Sequence, residues 1–169
     1  MSEIITDDDA FDLRFSTTTD ETNVKQWLYE PDVRLWYPPS SEADVDVFVR
    51  NWIGFSRYKA SLTAIYKDEV IGVATIFLMP YIKVAHLCMM YMVVDPKYQR
   101  KGVGTALLRN IKHLAKTRFR IESMHCEVWE GSPIIGLFDK LDFKTVVQQE
   151  NFVKFPEGHR ARIIMETQL

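Results

Sequence analysis

The sequence predicts an α/β domain, a mixed sheet with helices on both faces, and three observations carry that expectation. Segments with period-two alternation and segments with helical spacing succeed one another in the order β-α-α-β-β-β-α-β-α-β-β, which calls for helices packed on a sheet. The run from His86 to Val94 is apolar almost throughout, as a central strand buried on both faces must be. It leads into a short loop with Arg100 and Lys101 beside Gly102 and Gly104, from which an amphipathic helix starts. The strand–helix–strand unit over residues 86–129 is therefore expected to be parallel and right-handed. A chain of 169 residues is long enough for one substantial core, so 1–169 is read as a single domain.

Residues 1–10 are polar and expected to fray. Phe11 to Phe15 alternates apolar and polar and reads as the first strand. Thr18 and Glu21 fit a capping box, opening a helix over about 19–29 that stops before Pro31. A link rich in aromatics and acids follows. Ser41 with Asp44 starts a second helix, on which Val45, Phe48, Val49, Trp52 and Ile53 share one face. Residues 61–66 and 70–79 form a hairpin about the polar turn Lys67-Asp68-Glu69. The helix over about 103–117 buries Val103, Leu107, Ile111 and Leu114, leaving Arg109, Lys112 and Lys116 off the stripe. Ile121 to Trp129 is a strand. Ser132 as N-cap with Pro133 at the first helical position opens a short helix to about Asp142. Residues 143–155 and 161–165 close the chain as two strands joined at Pro156-Glu157-Gly158.

The composition narrows the function classes. Hydrophobic content of 47%, charged content of 26% and a net charge of -2 describe an ordinary globular protein, with nothing that suggests a nucleic-acid partner or an anionic membrane. Four scattered histidines offer no metal-ligand spacing. Cys88 and Cys126 lie in apolar strand-like runs and read as buried thiols of a reducing cytosol. No apolar stretch has membrane-spanning length, and Asp7, Asp8 and Asp9 replace the basic start of a secretory signal. A cytoplasmic protein is the expectation.

The junction after Val94 is where chemistry is expected. A helix N-terminus leaves backbone N–H groups unpaired and favours negative charge, so it suits a phosphate or pyrophosphate. Gly102 and Gly104 let the backbone approach a ligand closely, and Arg100 and Lys101 can add charged contacts. The dinucleotide fingerprint needs a third glycine where Leu107 stands, and the phosphate loop of nucleotide hydrolases needs a Gly-Lys-Ser/Thr that is missing. What is present is Gln99, two residues, Gly102, one residue and Gly104, preceded by Val94-Asp95-Pro96. This resembles the acyl-CoA pyrophosphate loop of the GNAT superfamily of N-acetyltransferases. Leu137-Phe138-Asp139-Lys140-Leu141-Asp142-Phe143 resembles a second segment of that family, and the predicted element order is similar to its complete fold.

The resemblance implies acetyl-CoA as acyl donor, held by Met92, Val93, Val94, Gln99, Arg100, Lys101, Gly102, Val103, Gly104, Thr105 and Phe138, with no metal. It implies the Met92 backbone N–H as the donor to the carbonyl oxygen. It also exposes a departure, because many members carry a tyrosine acid where Phe138 stands. Either the thiolate leaves unassisted, or another donor such as Ser132, Tyr91 or water serves, or the chain does not catalyse. A thiol pKa of ~8.5 makes unassisted departure chemically reasonable. The family's base tends to come from positions matching Cys88 or Met90, neither a good base. His86 could act through water or be an idle strand-end histidine, and Glu127 and Glu130 read as a base or as solvated charges.

In the family the first two helices and their link wall the acceptor site. Here that link holds Glu30, Asp32, Trp36 and Tyr37, a combination suited to a cationic amine. The expected activity is direct transfer of an acetyl group to a primary amine, a small cationic amine, a protein N-terminus or a lysine. The alternative is a non-catalytic acyl-CoA-binding sensor or interaction module. Members of the family often pair through their last strands, which extends here to a homodimer.

Overall fold

The computed structural model describes residues 11–169. The fraying expected of residues 1–10 lies outside the described residues. One seven-stranded sheet runs through the molecule in the order β1-β2-β3-β4-β5-β7-β6. Its strands are β1 (Asp12–Phe15), β2 (Ser61–Tyr66), β3 (Glu69–Leu78), β4 (Leu87–Val94), β5 (Ser123–Trp129), β6 (Lys144–Phe155) and β7 (Gly158–Gln168). All neighbours are antiparallel except β4 and β5, which are parallel. The parallel pair is the one joined through α4 (Val103–Phe119). The β2–β3 turn is tight, with Lys67 and Asp68 both at positive φ, as a two-residue hairpin matching the strand twist requires.

Alternation along β4 divides the core in two. Cys88, Met90 and Met92 enter a cluster with Val103, Leu107, Leu108 and Ile111 of α4 and with Phe138 of α5 (Ile135–Lys140). Val93 and its partly buried neighbour Tyr91 face the other way, into a cluster of α1 (Glu21–Tyr29) and α3 (Glu42–Gly54) built on Val24, Trp27, Leu28, Val45, Val49 and Trp52. The expected burial of β4 on both faces is thus observed, and both cysteines are buried free thiols.

Several local expectations are corrected. The first capping box is one residue earlier, with Thr17 at the N-cap and Asp20 at N3 of a 3-10 turn that precedes α1. Asp20 wins the position because its carboxylate is buried. It accepts from Thr17 N, from Thr63 Oγ1 and from both terminal nitrogens of Arg14. The link after α1 contains an additional short helix, α2 (Pro31–Arg34), entered through Pro31. Ser132 does not cap α5 with its hydroxyl. The helix proper begins at Ile135, whose N–H donates to the Ser132 carbonyl oxygen at 3.3 Å. On α4 the buried face is completed by Leu108 and Ala115, while Leu114 is only half-buried. Lys112 lies off that face as expected and is half-buried. Its Nζ donates to the Leu141 carbonyl at 2.8 Å, tying α4 to the end of α5. The Ser41–Asp44 capping box of α3 is present as expected.

Among the described residues no helix is long and apolar enough to cross a membrane, and no group of His, Cys, Asp and Glu side chains is placed to hold a metal ion.

Candidate functional site

The site begins where two strands part. β4 and β5 pair from Leu87↔Ser123 to Met89↔His125 and no further, although β4 runs on to Val94 and β5 to Trp129. The other edge of β4 stays paired with β3 up to Gly72↔Val94. Asp95 N donates to Ile71 O at 2.9 Å just beyond that ladder. Bonded positions alternate along an antiparallel pair. Counting back from Asp95, the N–H and C=O groups of Met90, Met92 and Val94 therefore point away from β3, into the gap. Two of the exposed carbonyls have partners there. Tyr37 Oη donates to Met92 O at 2.5 Å, and Gln99 Nε2 donates to Val94 O at 3.2 Å. Opposite them the N–H groups of Met92 and Val94 face the opening without a strand to receive them.

The mouth of this wedge is the glycine loop. Asp95 Oδ1 accepts from Lys97 N at 2.9 Å and turns the chain into a short 3-10 segment, Pro96–Tyr98. Arg100 then adopts φ +59° and Gly102 φ +85°, the left-handed region that glycine enters without cost. α4 starts immediately after, with no side chain capping its N-terminus. The first-turn amides of α4 are consequently available to an anion. Gly104 has a different role. A Cβ there would sit 3.1 Å from Leu137 Cδ2 and 3.6 Å from Met92 Cε, so its bare backbone lets α4, α5 and β4 close together.

Wedge and mouth form one cavity of about 830 Å³. Most of the residues expected at the site line it: Met92, Val93, Val94, Gln99, Arg100, Gly102, Gly104, Thr105 and Phe138, with Glu127 and Ser132, and with Glu30, Asp32, Trp36 and Tyr37 on the far wall. Three of the expected residues do not. The Lys101 ammonium lies over the Tyr98 ring at 5.4 Å. Val103 is wholly buried in the α4 core, so only its backbone is near the loop. His86 is exposed in the turn before β4, where its carbonyl accepts from Glu122 N and Ser123 N. A strand rises ~3.3 Å per residue, so His86 stands roughly 20 Å from Met92, too far for a single bridging water.

The remaining ionisable groups sort by environment. Glu127 Oε1 accepts from Arg162 Nη1 at 3.2 Å, each side chain about one quarter exposed. Glu130 is outside the cavity lining and its Oε2 accepts from Ala161 N, so it fastens β5 to β7. Burial, and then the Glu127 charge, push the Tyr91 phenol up to about 12. Burial likewise pushes the Cys126 thiol up to about 12 and raises the Tyr37 phenol. Tyr91 thus keeps its proton at neutral pH and Cys126 stays an inert thiol. Phe138 is buried, its ring 4.9 Å from that of Phe143, and brings no hydroxyl to the cavity. On the far wall Arg34 turns its guanidinium back to the carbonyls of Leu28 and Tyr29. Among the described residues Glu30 and Asp32 are left without an ion pair, beside Trp36. The Arg162 contact escaped sequence reasoning, because nothing local says that β7 pairs with β5 in that register.

Residues 22–143, most of the chain, match the family described as "Acetyltransferase (GNAT) family", and the chain belongs to that family. No curated protein sequence matches it. Its fold is similar to that of yncA from Salmonella typhimurium, solved with its cofactor acetyl-CoA, at 17% identity and TM-score 0.79, covering 95% of this chain and 94% of that one. A GCN5-related N-acetyltransferase from Kribbella flavida superposes with TM-score 0.78 at 18% identity, over 95% and 98% of the two chains. The ribosomal-protein-S18-alanine N-acetyltransferase from Escherichia coli does so with TM-score 0.70 at 20% identity, over 94% of each.

Proposed function

We propose that this acetyltransferase moves an acetyl group from acetyl-CoA directly to a primary amine. The observation that carries the reading is the parting of β4 from β5 beyond Met89↔His125, with the uncapped N-terminus of α4 at its mouth. The cavity residues fit acetyl-CoA. The amides of the α4 first turn and the Arg100 guanidinium would hold the pyrophosphate, and the N–H groups of Met92 and Val94 would bond the pantetheine arm like an added strand. When bound, the donor supplies an activated thioester carbonyl. The Met92 N–H is the donor to its oxygen, a contact of a kind worth roughly 2.7–4 kcal/mol of barrier.

Glu127 is the proton acceptor, because it is a carboxylate lining the cavity on the acceptor side. It lies close enough to Tyr91 of β4 for its charge to raise that phenol. His86 takes no part, given its distance. With Phe138 at the usual acid position, the thiolate leaves unassisted or with a proton from Ser132 or Tyr91, both of which line the cavity. Glu30 and Asp32 favour a cationic acceptor through ion pairing, which fits a small polyamine or a protein N-terminus, while the Trp36 ring already has the Arg160 guanidinium 5.4 Å from its centroid and serves as wall. The buried free thiols support a reducing compartment, the cytoplasm.

The test is thermal unfolding with acetyl-CoA, CoA, NADH or ATP in large excess, followed by thiol release with two probe amines, spermidine and a short peptide with a free N-terminal alanine. A ligand at ~100-fold its Kd adds about 2.7 kcal/mol, a rise of roughly 5–11 °C for this size. Rises with acetyl-CoA and CoA but not with NADH, with thiol release from one amine, are expected. No rise with either CoA compound would break the reading. A rise without turnover would favour the second reading, an acyl-CoA-binding module, for which Phe138 is the motivating residue.

A further inference from the structure

β6, the edge strand that pairs with β7, departs from regular pairing. Gln149 faces Arg162 and Val153 faces Arg160, so residues 150–152 span the space opposite Ala161 alone. Asn151 takes φ +55° within that stretch. A bulge re-aims side chains, and bulges concentrate next to functional sites. This one delivers two groups to a single guanidinium. Gln149 Oε1 accepts from Arg162 Nη2 at 2.8 Å, and the Phe152 ring centroid lies 4.2 Å from Arg162 Cζ. Phe152 rests in turn on Trp129 of β5, with ring centroids 6.1 Å apart. Held on two sides, Arg162 presents Nη1 to Glu127 Oε1. Its Nε is buried with no hydrogen-bond partner, a cost that an arginine free to turn into water would not carry. The side chain is constrained for where it points and not for its own hydrogen bonding.

We propose that Arg162 is a positioning residue for acyl transfer, holding Glu127 by Oε1 and leaving Oε2 to receive the amine's proton. This rests on the reading of Glu127 as proton acceptor. In the step served, an N–H bond of the incoming ammonium breaks as an O–H bond forms on Glu127 Oε2. The freed nitrogen pair forms the C–N bond to the thioester carbon. The C–S bond breaks with its electron pair going to sulfur, and the nitrogen's second proton goes to solvent. Tyr91 from β4 and Arg162 from β7 face Glu127, with His125 and Cys126 beside it on β5, and Glu30 and Asp32 of the acceptor wall line the same cavity.

The experiment compares kcat and KM by thiol release, using whichever probe amine the wild type turns over faster. Arg162→Met keeps an unbranched apolar stem and removes the fork, including its contact with Phe152. It is expected to lower kcat about 10- to 100-fold with KM for acetyl-CoA within about twofold, and Arg162→Lys recovers part of the loss. Gln149→Ala, a surface change that frees the guanidinium without emptying the core, is expected to give a smaller loss of about three- to tenfold. In a Glu127→Gln background both changes should alter kcat less than about twofold, because the group they act through is gone. Equal losses in both backgrounds, or no loss in the wild-type background, would make Arg162 a fold contact only and overturn the inference while acyl transfer stands. Absence of wild-type turnover with both probes would overturn the inference together with the reading it rests on. Should Arg162→Met fail to fold, the Gln149→Ala pair of measurements decides.

Discussion

Gly72 of β3 sets how closely α4 lies on the sheet, and replacing it with alanine tests how the uncapped N-terminal end of that helix is positioned. An added Cβ would stand 2.9 Å from Leu107 Cδ1, 3.3 Å from Val103 Cγ1 and 3.4 Å from Val93 O. Leu107 and Val103 are both fully buried. Val103 is β-branched and held to one rotamer in a helix, and Leu107 is fully buried in a close-packed core. The expected response is that Leu107 repacks and the helix lifts slightly. Overpacking of this kind costs typically about 1–3 kcal/mol. Alanine recovers about 0.5–1 kcal/mol through its smaller loss of backbone freedom in a strand. The midpoints leave a net destabilisation of about 1 kcal/mol, a fall in Tm of roughly 2–4 °C for a protein of this size. Val103 is the first residue of α4, directly after Gly102, so the shift is passed to the glycine loop. The Tm rise produced by acetyl-CoA should shrink along with the basal Tm. Thermal unfolding with and without acetyl-CoA measures both. In a Leu107→Ala background the cost of Gly72→Ala should drop, because the nearest atom is gone. An unchanged Tm with a full acetyl-CoA response in Gly72→Ala would refute the reasoning, since α4 would then not be seated by this contact.

Gly102→Ala forces an L side chain to φ +85° and should cost about 1–2 kcal/mol, with a weaker acetyl-CoA response in the same assay. Burial pushes the Asp20 carboxyl up, but bonds from Arg14, Thr17 and Thr63 outweigh it and leave the group below the usual carboxylate range. Its stabilisation is thus present above about pH 4 and is lost as pH falls through its folded value. Asp20→Asn should lose about 2 kcal/mol at pH 7 by urea unfolding, and the gap to wild type should narrow below pH 4. A gap independent of pH would assign the effect to packing. Phe138→Tyr places a hydroxyl at the usual acid position, and thiol release should show kcat rising about tenfold or more with KM for acetyl-CoA unchanged. No change would mean that thiolate departure needs no acid here.

What could be read from the chain in advance is what depends on neighbours in sequence. The apolar run of β4, the spacing of Val45, Phe48, Val49, Trp52 and Ile53 on α3, and the strand–glycine loop–helix passage from Val94 to Val103 are set within a few residues by periodicity, steric limits and helix-end hydrogen bonding. The mouth of the cavity is made almost wholly of such local structure, so most of the residues expected there do line it. The reacting end is not local. Where β4 and β5 part is decided by the meeting of strands from distant segments. That parting sends the backbone of Met92 into the cavity and leaves His86, in the turn before the same strand, far from it. Glu127 could be suspected from its place near the end of β5, but its partner Arg162 comes from β7 through a register that no short stretch of sequence carries. The displacement of the capping box to Thr17 and Asp20 has the same cause, since Thr63 and Arg14 compete for that carboxylate across the sheet. Gly72, too, looks like any strand glycine until Leu107 and Val103 are seen resting on it. Short-range chemistry wrote the elements and the uncapped start of α4, and long-range pairing of strands, whose contacts are separated by tens of residues, decided which side chains share the cavity.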